Sequence, residues 1–233
     1  MNDQMPLDVG LRDHASFGNF HVGPHAQLVA ALQQTATAQG DRYVYLSGGA
    51  HHGKSHLLQA CAHLAEQTGL RHMYLALSTT ELNPGVLADI EQFNLLCIDQ
   101  IEVIAGHSDW EEAVFDLFNR IHENNGHLII AGCRRPTDIG ITLADLSSRL
   151  SSGALYQLHE LNDTDKRLAL QLRAHQRGLV LPDDTAEYLL RRCPRDTAYL
   201  FALLGRLDTA ALVSQRRLTI PFIKTVLVDP AGQ

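Results

Sequence analysis

Short apolar runs alternate with amphipathic stretches along the first two thirds of the chain, and then the short runs stop. Tyr43-Val44-Tyr45-Leu46, Arg71 to Ala76 (RHMYLA), Leu95-Leu96-Cys97-Ile98-Asp99, His127-Leu128-Ile129-Ile130-Ala131 and Ala154-Leu155-Tyr156-Gln157-Leu158 each have the length and composition of a buried strand. Between them the period changes. Leu28, Ala31 and Leu32 keep helical spacing after Gly23-Pro24, and helices are predicted from Ser55 to Ala65, from Pro84 to Ile90 behind the Asn83-Pro84 turn, and from Leu143 to Leu150 (LADLSSRL). The strongest amphipathic pattern is Trp110 to Asn124, with Trp110, Val114, Phe115, Leu117, Phe118 and Ile121 on or near one face. Runs without polar alternation must be covered on both sides. Five such strands alternating with helices therefore predict an α/β fold with a five-stranded parallel sheet between two helical layers.

Beyond Leu161 only helical signals remain. Asp163 or Thr164 caps a helix to about Arg177, Gly178 ends it, and Pro182 opens the next. Asp196 to Ser214 follows with Leu200, Leu203, Leu204, Leu207 and Leu212, and Thr219-Ile220-Pro221-Phe222 starts a fourth helix ending near Val228. The expected organisation is a tail over residues 1–16, an α/β domain over 17–160 and a small all-α domain over 161–233. The tail mixes Pro6, Gly10 and charges with isolated apolar residues, so an extended terminus is expected. Within it, Gln4-Met5-Pro6-Leu7-Asp8-Val9 places aliphatics after a Gln, as in peptides that seat in hydrophobic pockets.

Composition narrows the function classes. With 26 acidic against 19 basic residues the net charge is −7, the wrong sign for a dedicated duplex-DNA binder. No apolar run approaches a membrane span and no basic-then-apolar leader opens the chain, so a cytoplasmic protein is expected. Cys61, Cys97, Cys133 and Cys193 form no C-x-x-C pair and lie in apolar segments, which reads as buried reduced thiols. None of the 13 histidines stands in an H-x-x-x-H pair beside a carboxylate, which argues against a histidine metal centre.

The chemistry concentrates in one stretch. Gly48, four residues, then Gly53-Lys54-Ser55 is a complete G-x-x-x-x-G-K-[ST] phosphate loop, entered from a predicted strand and left by a predicted helix. Glycines at 48, 49 and 53 let successive amides turn toward a polyphosphate at the helix N-terminus, Lys54 adds a point charge, and Ser55 supplies a hydroxyl for Mg²⁺. His51 and His52 occupy variable loop positions and read as solvated side chains. The run ending in Asp99 has the form of a Walker B strand, with Asp99 as the second Mg²⁺ ligand. Gln100 follows where hydrolases of this type carry a carboxylate, so intrinsic hydrolysis should be slow. Glu102 is the nearest substitute base and reads as a solvated loop carboxylate.

Several segments together resemble the DnaA-related AAA+ family: Phe17-Gly18-Asn19-Phe20-His21-Val22-Gly23-Pro24, GGAHHGKSHLL from Gly48, LLCIDQI from Leu95, Arg134-Arg135-Pro136, Ser148-Arg149-Leu150, and Arg177-Gly178-Leu179-Val180-Leu181-Pro182. The initiators of that family carry a basic helix-turn-helix domain after their lid, and the sequence ends at Gln233 without one. With the short tail and the closing RRLTIPFIK, the resemblance is to its regulatory-inactivator (Hda) branch.

The resemblance implies a set of roles. Gly48, Gly49, Ala50, His51, His52, Gly53, Lys54, Ser55 and His56 would hold the phosphates of ADP or a related diphosphate, with Phe20 and Val22 on the side of the base. Arg195 falls at the sensor 2 position, and the sensor 1 position falls near Gly132-Cys133, where no usual polar side chain is present. Arg149 matches the arginine finger that acts on a neighbour's ATP. Gln4 to Val9 would bind the DNA polymerase sliding clamp, DnaA would be the target, DNA would be reached indirectly through the clamp, and self-association is plausible. An autonomous P-loop ATPase and a DnaA-like helicase-loading or single-strand DNA adaptor are the alternative readings, the latter with Arg134-Arg135 and Arg216-Arg217 as its basic pairs.

Overall fold

A computed structural model describes residues 15–79 and 82–228, and the Gln4 to Val9 segment lies outside them. The described residues divide into two compact units, one ending at His159 and one starting at Glu160.

The first unit holds α1 (Ala26–Ala36), β1 (Tyr43–Gly48), α2 (Lys54–Gln67), β2 (His72–Ala76), β3 (Leu95–Asp99), α3 (Ser108–Glu123), β4 (His127–Gly132), α4 (Ala144–Leu150) and β5 (Ala154–Leu158). The strands form one sheet in the order β2-β3-β4-β1-β5, with every pairing parallel. This is the fold expected from the alternating runs.

The core shows why the strands read as continuous apolar runs. Val44 and Leu46, Leu95 and Cys97, and Ile129 and Ala131 point to one face, where Leu28, Val29 and Leu32 of α1 and Leu57, Leu58 and Cys61 of α2 cover them. Their neighbours Tyr43 and Tyr45, Leu96 and Ile98, and Leu128 and Ile130 point to the other face, under Val114, Leu117, Phe118 and Ile121 of α3 and Leu146 and Leu150 of α4. Alternate residues thus go to opposite faces and both faces are buried.

Two short segments depart from expectation. The helix predicted over Pro84 to Ile90 is a single 3-10 turn, Pro84–Leu87, capped by the Asn83 side chain accepting from Gly85 N–H at 2.9 Å. A further 3-10 turn, Ile101–Ile104, follows β3 where a loop was expected, and it buries Ile101 and Ile104. Of the cysteines, Cys61 and Cys97 are buried but Cys133 and Cys193 are only half-buried, and all four are free thiols.

The second unit is helical. It comprises α5 (Asp163–Gln176), α6 (Asp183–Arg192), α7 (Thr197–Ser214) and α8 (Ile220–Val228) around Leu170, Leu189, Leu200, Leu203, Leu204, Leu207 and Ile223. The caps sit one residue outside the helices they start. Asn162, not Asp163, caps α5 by accepting from Asp165 N–H, Asp196 caps α7 by accepting from Tyr199 N–H, and Pro182 is the residue before α6. Gly178, past the end of α5, has φ +73, the left-handed conformation that closes a helix.

Candidate nucleotide site and the arginine helix

The parallel sheet brings the C-terminal ends of its strands to one edge, where open α/β sheets place ligands. Ser47 of β1 is level with Gly132 of β4, and β4 lies between β1 and β3, so the loop after Gly48, the end of β4 and Asp99 share this edge. The candidate phosphate loop leaves β1 and enters α2 at Lys54.

Gly53 is the residue on which the loop turns. It stands before α2 at φ +101, and an added Cβ would meet the Phe20 ring at 2.9 Å. No side chain fits that space in that conformation. The same contact explains why the Phe17-to-Pro24 segment belongs to the site: Phe20 closes over Gly53, its ring lies 5.7 Å from that of His56, and His56 Nε2 is 3.0 Å from the Ser16 carbonyl oxygen. Val22, like Phe20, packs against the α1/α2 side of the core.

Lys54 is buried, and its Nζ donates to Gly48 O at 2.6 Å and Gly49 O at 2.8 Å. These bonds hold the ammonium at the start of the loop. Burial lowers its pKa, and the carboxylates of Glu102 and Asp99 oppose that shift. Ser55 is half-buried in the first turn of α2, and Ala50 and His51 are exposed, with His51 at φ 63.

His52 departs from expectation. Its imidazole is half-buried rather than solvated, with Nδ1 3.2 Å from Gly49 N and 3.1 Å from Leu158 O. One nitrogen cannot accept from the first and donate to the second in the same state. The ring protonated on Nε2 alone therefore closes the Gly49 amide, and a ring carrying a proton on Nδ1 ties the loop to β5 and releases that amide.

Asp99 is buried at the end of β3. Its Oδ2 accepts from the Tyr74 hydroxyl at 2.9 Å, while Oδ1 is buried without a hydrogen-bond partner among the described residues. An orphaned carboxylate oxygen beside a phosphate loop, with the Ser55 hydroxyl at the head of α2, is a donor set of the hard-oxygen kind Mg²⁺ takes.

The position after Asp99 carries no base. Gln100 adopts φ 63, and its Oε1 accepts from the Ser78 hydroxyl, which fixes the amide on β2's side. Glu102 is not a solvated carboxylate. It is half-buried, and its Oε2 accepts from Cys133 N–H at 3.0 Å, tying the 3-10 turn to the end of β4. The missing polar side chain at the end of β4 also has a steric reason. A Cβ on Gly132 would stand 2.1 Å from the Tyr45 hydroxyl, which occupies that space and donates to Arg134 O at 2.9 Å.

Arg149 projects from α4, seven residues long and too short to be stable alone. Both ends are clamped. At the start, buried Glu111 accepts from Thr142 N–H, Thr142 Oγ1–H and Leu143 N–H at 2.7–3.1 Å, and from Gly106 N–H at 2.7 Å. At the end, the buried Tyr43 hydroxyl donates to Leu150 O at 2.9 Å. Burial alone would raise the Glu111 pKa, and the bonds from Leu143, Gly106 and Thr142 outweigh it and hold the group below its ordinary value. Leu146 and Leu150 anchor the buried side, and the exposed Arg149 has no ion-pair partner among the described residues.

Glu111 carried a signal in the sequence. It lies three residues before Val114 and seven before Phe118, on the apolar stripe of α3, and a carboxylate there demands donors.

Arg195, in the second unit, pairs with Asp163 at 3.1 Å. Arg134 and Arg135 are exposed after β4, and Arg216 and Arg217 are exposed after α7. No group of three or more His, Cys, Asp or Glu that would hold a metal occurs among the described residues, nor is any described helix long and apolar enough to cross a membrane.

Comparison with known proteins agrees with this geometry. Residues 11–157 match the model of the bacterial DnaA ATPase domain, and residues 163–227 match that of the Hda lid domain. Domain III of the Thermotoga maritima replication initiation protein DnaA superposes with a TM-score of 0.78 at 19% identity, covering 94% of this chain and 98% of that one. The AMPPCP-bound DnaA of Aquifex aeolicus gives 0.70 at 21% identity over 84% of this chain and 65% of its own. A Thermotoga maritima RuvB gives 0.65 at 18% identity over 87% of this chain and 67% of its own. At these identities the structures speak for the fold, whereas the DnaA model covers well over half of the sequence and the Hda lid model most of the remainder. The chain belongs to the DnaA-related AAA+ family, as an Hda-like member with a DnaA-type ATPase domain and an Hda-type lid.

Proposed function

We propose that the protein is a nucleotide-holding regulator in the cytoplasm that, tethered to the DNA-loaded sliding clamp, stimulates ATP hydrolysis by DnaA and so represses re-initiation of chromosomal replication. The observation that carries this reading is the contrast between two positions. Gln100 stands where a hydrolase needs a base, while Arg149 is exposed and unpaired among the described residues on a helix clamped at both ends. The protein is equipped to lend a cation and poorly equipped to activate its own water.

In this reading the amides of residues 48–55 and Lys54 hold the phosphates of ADP or a related diphosphate. The Ser55 hydroxyl and Asp99 Oδ1 would hold Mg²⁺, which when bound neutralises phosphate charge. Phe20, over Gly53, and Val22 line the side next to the loop. Arg149 is presented to the γ-phosphate of ATP in DnaA, where a guanidinium stabilises the charge that builds on the transferring group. The AMPPCP in the Aquifex aeolicus structure supports nucleotide binding by relatives of this fold.

Clamp binding falls to Gln4-Met5-Pro6-Leu7-Asp8-Val9. A short flexible tether gives an effective concentration of about millimolar, enough for a weak AAA+ contact to act only where a clamp is present. The test is retention of the purified protein on immobilised clamp. Retention that disappears on deleting residues 1–10 is the expected result, and equal retention of the truncated protein would remove the tether from the account.

A further inference from the structure

The carboxylate at the end of β3 is held by a polar chain that begins on another element. Tyr74, two residues before the end of β2, reaches across to β3, and its hydroxyl donates to Asp99 Oδ2 at 2.9 Å. That hydroxyl also takes a hydrogen bond from the side chain of Gln59, buried in α2 five residues past Lys54. A phenol has one proton. With Gln59 donating into the oxygen, that proton is directed at Asp99. The result is an asymmetric carboxylate: Oδ2 is occupied, and Oδ1 is buried with no partner among the described residues.

We infer that Tyr74 is a positioning residue for the cation-binding carboxylate, taking up Oδ2 so that Asp99 offers Oδ1 alone, and that Gln59 fixes the Tyr74 hydroxyl in that role. The geometry makes Asp99 a one-oxygen ligand of set direction. A carboxylate free to rotate would pay that ordering on binding the ion, which is why partners behind a ligand commonly change metal affinity by about 10–100-fold. Because Gln59 lies on the helix that begins with Lys54 and Ser55, the same helix that carries the phosphate-side groups also sets the carboxylate.

This inference rests on the reading of residues 48–55 as a nucleotide site, and the experiment separates the two. The affinity of the full chain for ADP is measured by calorimetry in Mg²⁺ and again in EDTA, for the unaltered protein and for Tyr74→Phe, which keeps the ring. The expected result is unchanged affinity in EDTA and loss of roughly tenfold or more of the gain that Mg²⁺ confers. Gln59→Met, which leaves Tyr74 in place but frees its hydroxyl, is expected to lose part of that gain, and it carries the test if the Phe variant melts early.

An equal Mg²⁺ gain in all three proteins would overturn the inference. So would an equal fall of both affinities in Tyr74→Phe, the behaviour of a residue that only packs, and so would an unaltered protein that binds ADP with no Mg²⁺ gain. An unaltered protein that binds no ADP in either buffer would overturn the nucleotide reading itself, and this one with it.

Discussion

Gly53, Lys54 and His52 do different work in a loop of eight residues, and the sequence pattern distinguishes only the first two. Gly53 is fixed twice, by φ +101 and by the Phe20 ring 2.9 Å from where a Cβ would stand. Gly53→Ala is therefore expected to cost about 2 kcal/mol or more in stability, from the left-handed conformation and the displaced ring together, measured by denaturant unfolding. Lys54→Ala removes the ammonium that bonds two loop carbonyls and is proposed to bond phosphate. Loss of charge-assisted bonds of this kind predicts a roughly 10–100-fold weaker affinity for ADP by calorimetry. The tie from His52 to β5 was not legible, because it depends on Leu158, a residue brought beside it only by the sheet. Glu102 was hidden for the same reason, since its donor is the backbone of Cys133, just past the end of β4. A single sequence shows which residues can turn or carry charge, and not which distant backbone group they meet.

At the scale of elements, the arginine helix depends on its clamps. The helix has few internal hydrogen bonds, so Glu111 and Tyr43 hold what propensity cannot. Glu111→Gln leaves amides facing a carboxamide that has one acceptor oxygen and two donors of its own. The expected cost is about 3 kcal/mol, read as a lower melting temperature, together with weaker presentation of Arg149. The pH dependence follows from the direction of the shift. The folded-state pKa of Glu111 lies below its ordinary value of 4.5, so its contribution is complete above that value and is lost as pH falls through the lower, folded-state one. Thermal unfolding of the native protein and of Glu111→Gln should therefore converge as the pH is lowered through that range, whereas a constant gap would contradict the assignment.

Most elements were legible, because strands buried on both faces and a helix as amphipathic as α3 leave strong periodic signals. The turn over Ile101–Ile104 was not, since two isoleucines three apart beside a strand fit a loop end as well as a short helix. The candidate site was readable where it follows a local pattern, as in Gly48 to Ser55 and Asp99. It was unreadable where it is assembled from separate elements, as in Gln59 and Tyr74, and only half readable in Glu111, whose place on an apolar stripe calls for donors without saying which.

For the whole molecule, family membership and mechanism stand on different ground. The DnaA-type domain and the Hda-type lid place the chain in its family, and the role in trans is the proposal that Gln100 and Arg149 support together. The central claim is that the protein lends Arg149 to a reaction in another subunit. The most direct measurement is ATP hydrolysis by ATP-loaded DnaA in the presence of clamp loaded on DNA, with the unaltered protein and with Arg149→Ala at equal nucleotide occupancy. The account predicts that the unaltered protein accelerates hydrolysis and that Arg149→Ala drops it to the unstimulated rate, in line with arginine fingers that contribute roughly 10³–10⁵ in rate. Stimulation by Arg149→Ala equal to that of the unaltered protein would contradict it.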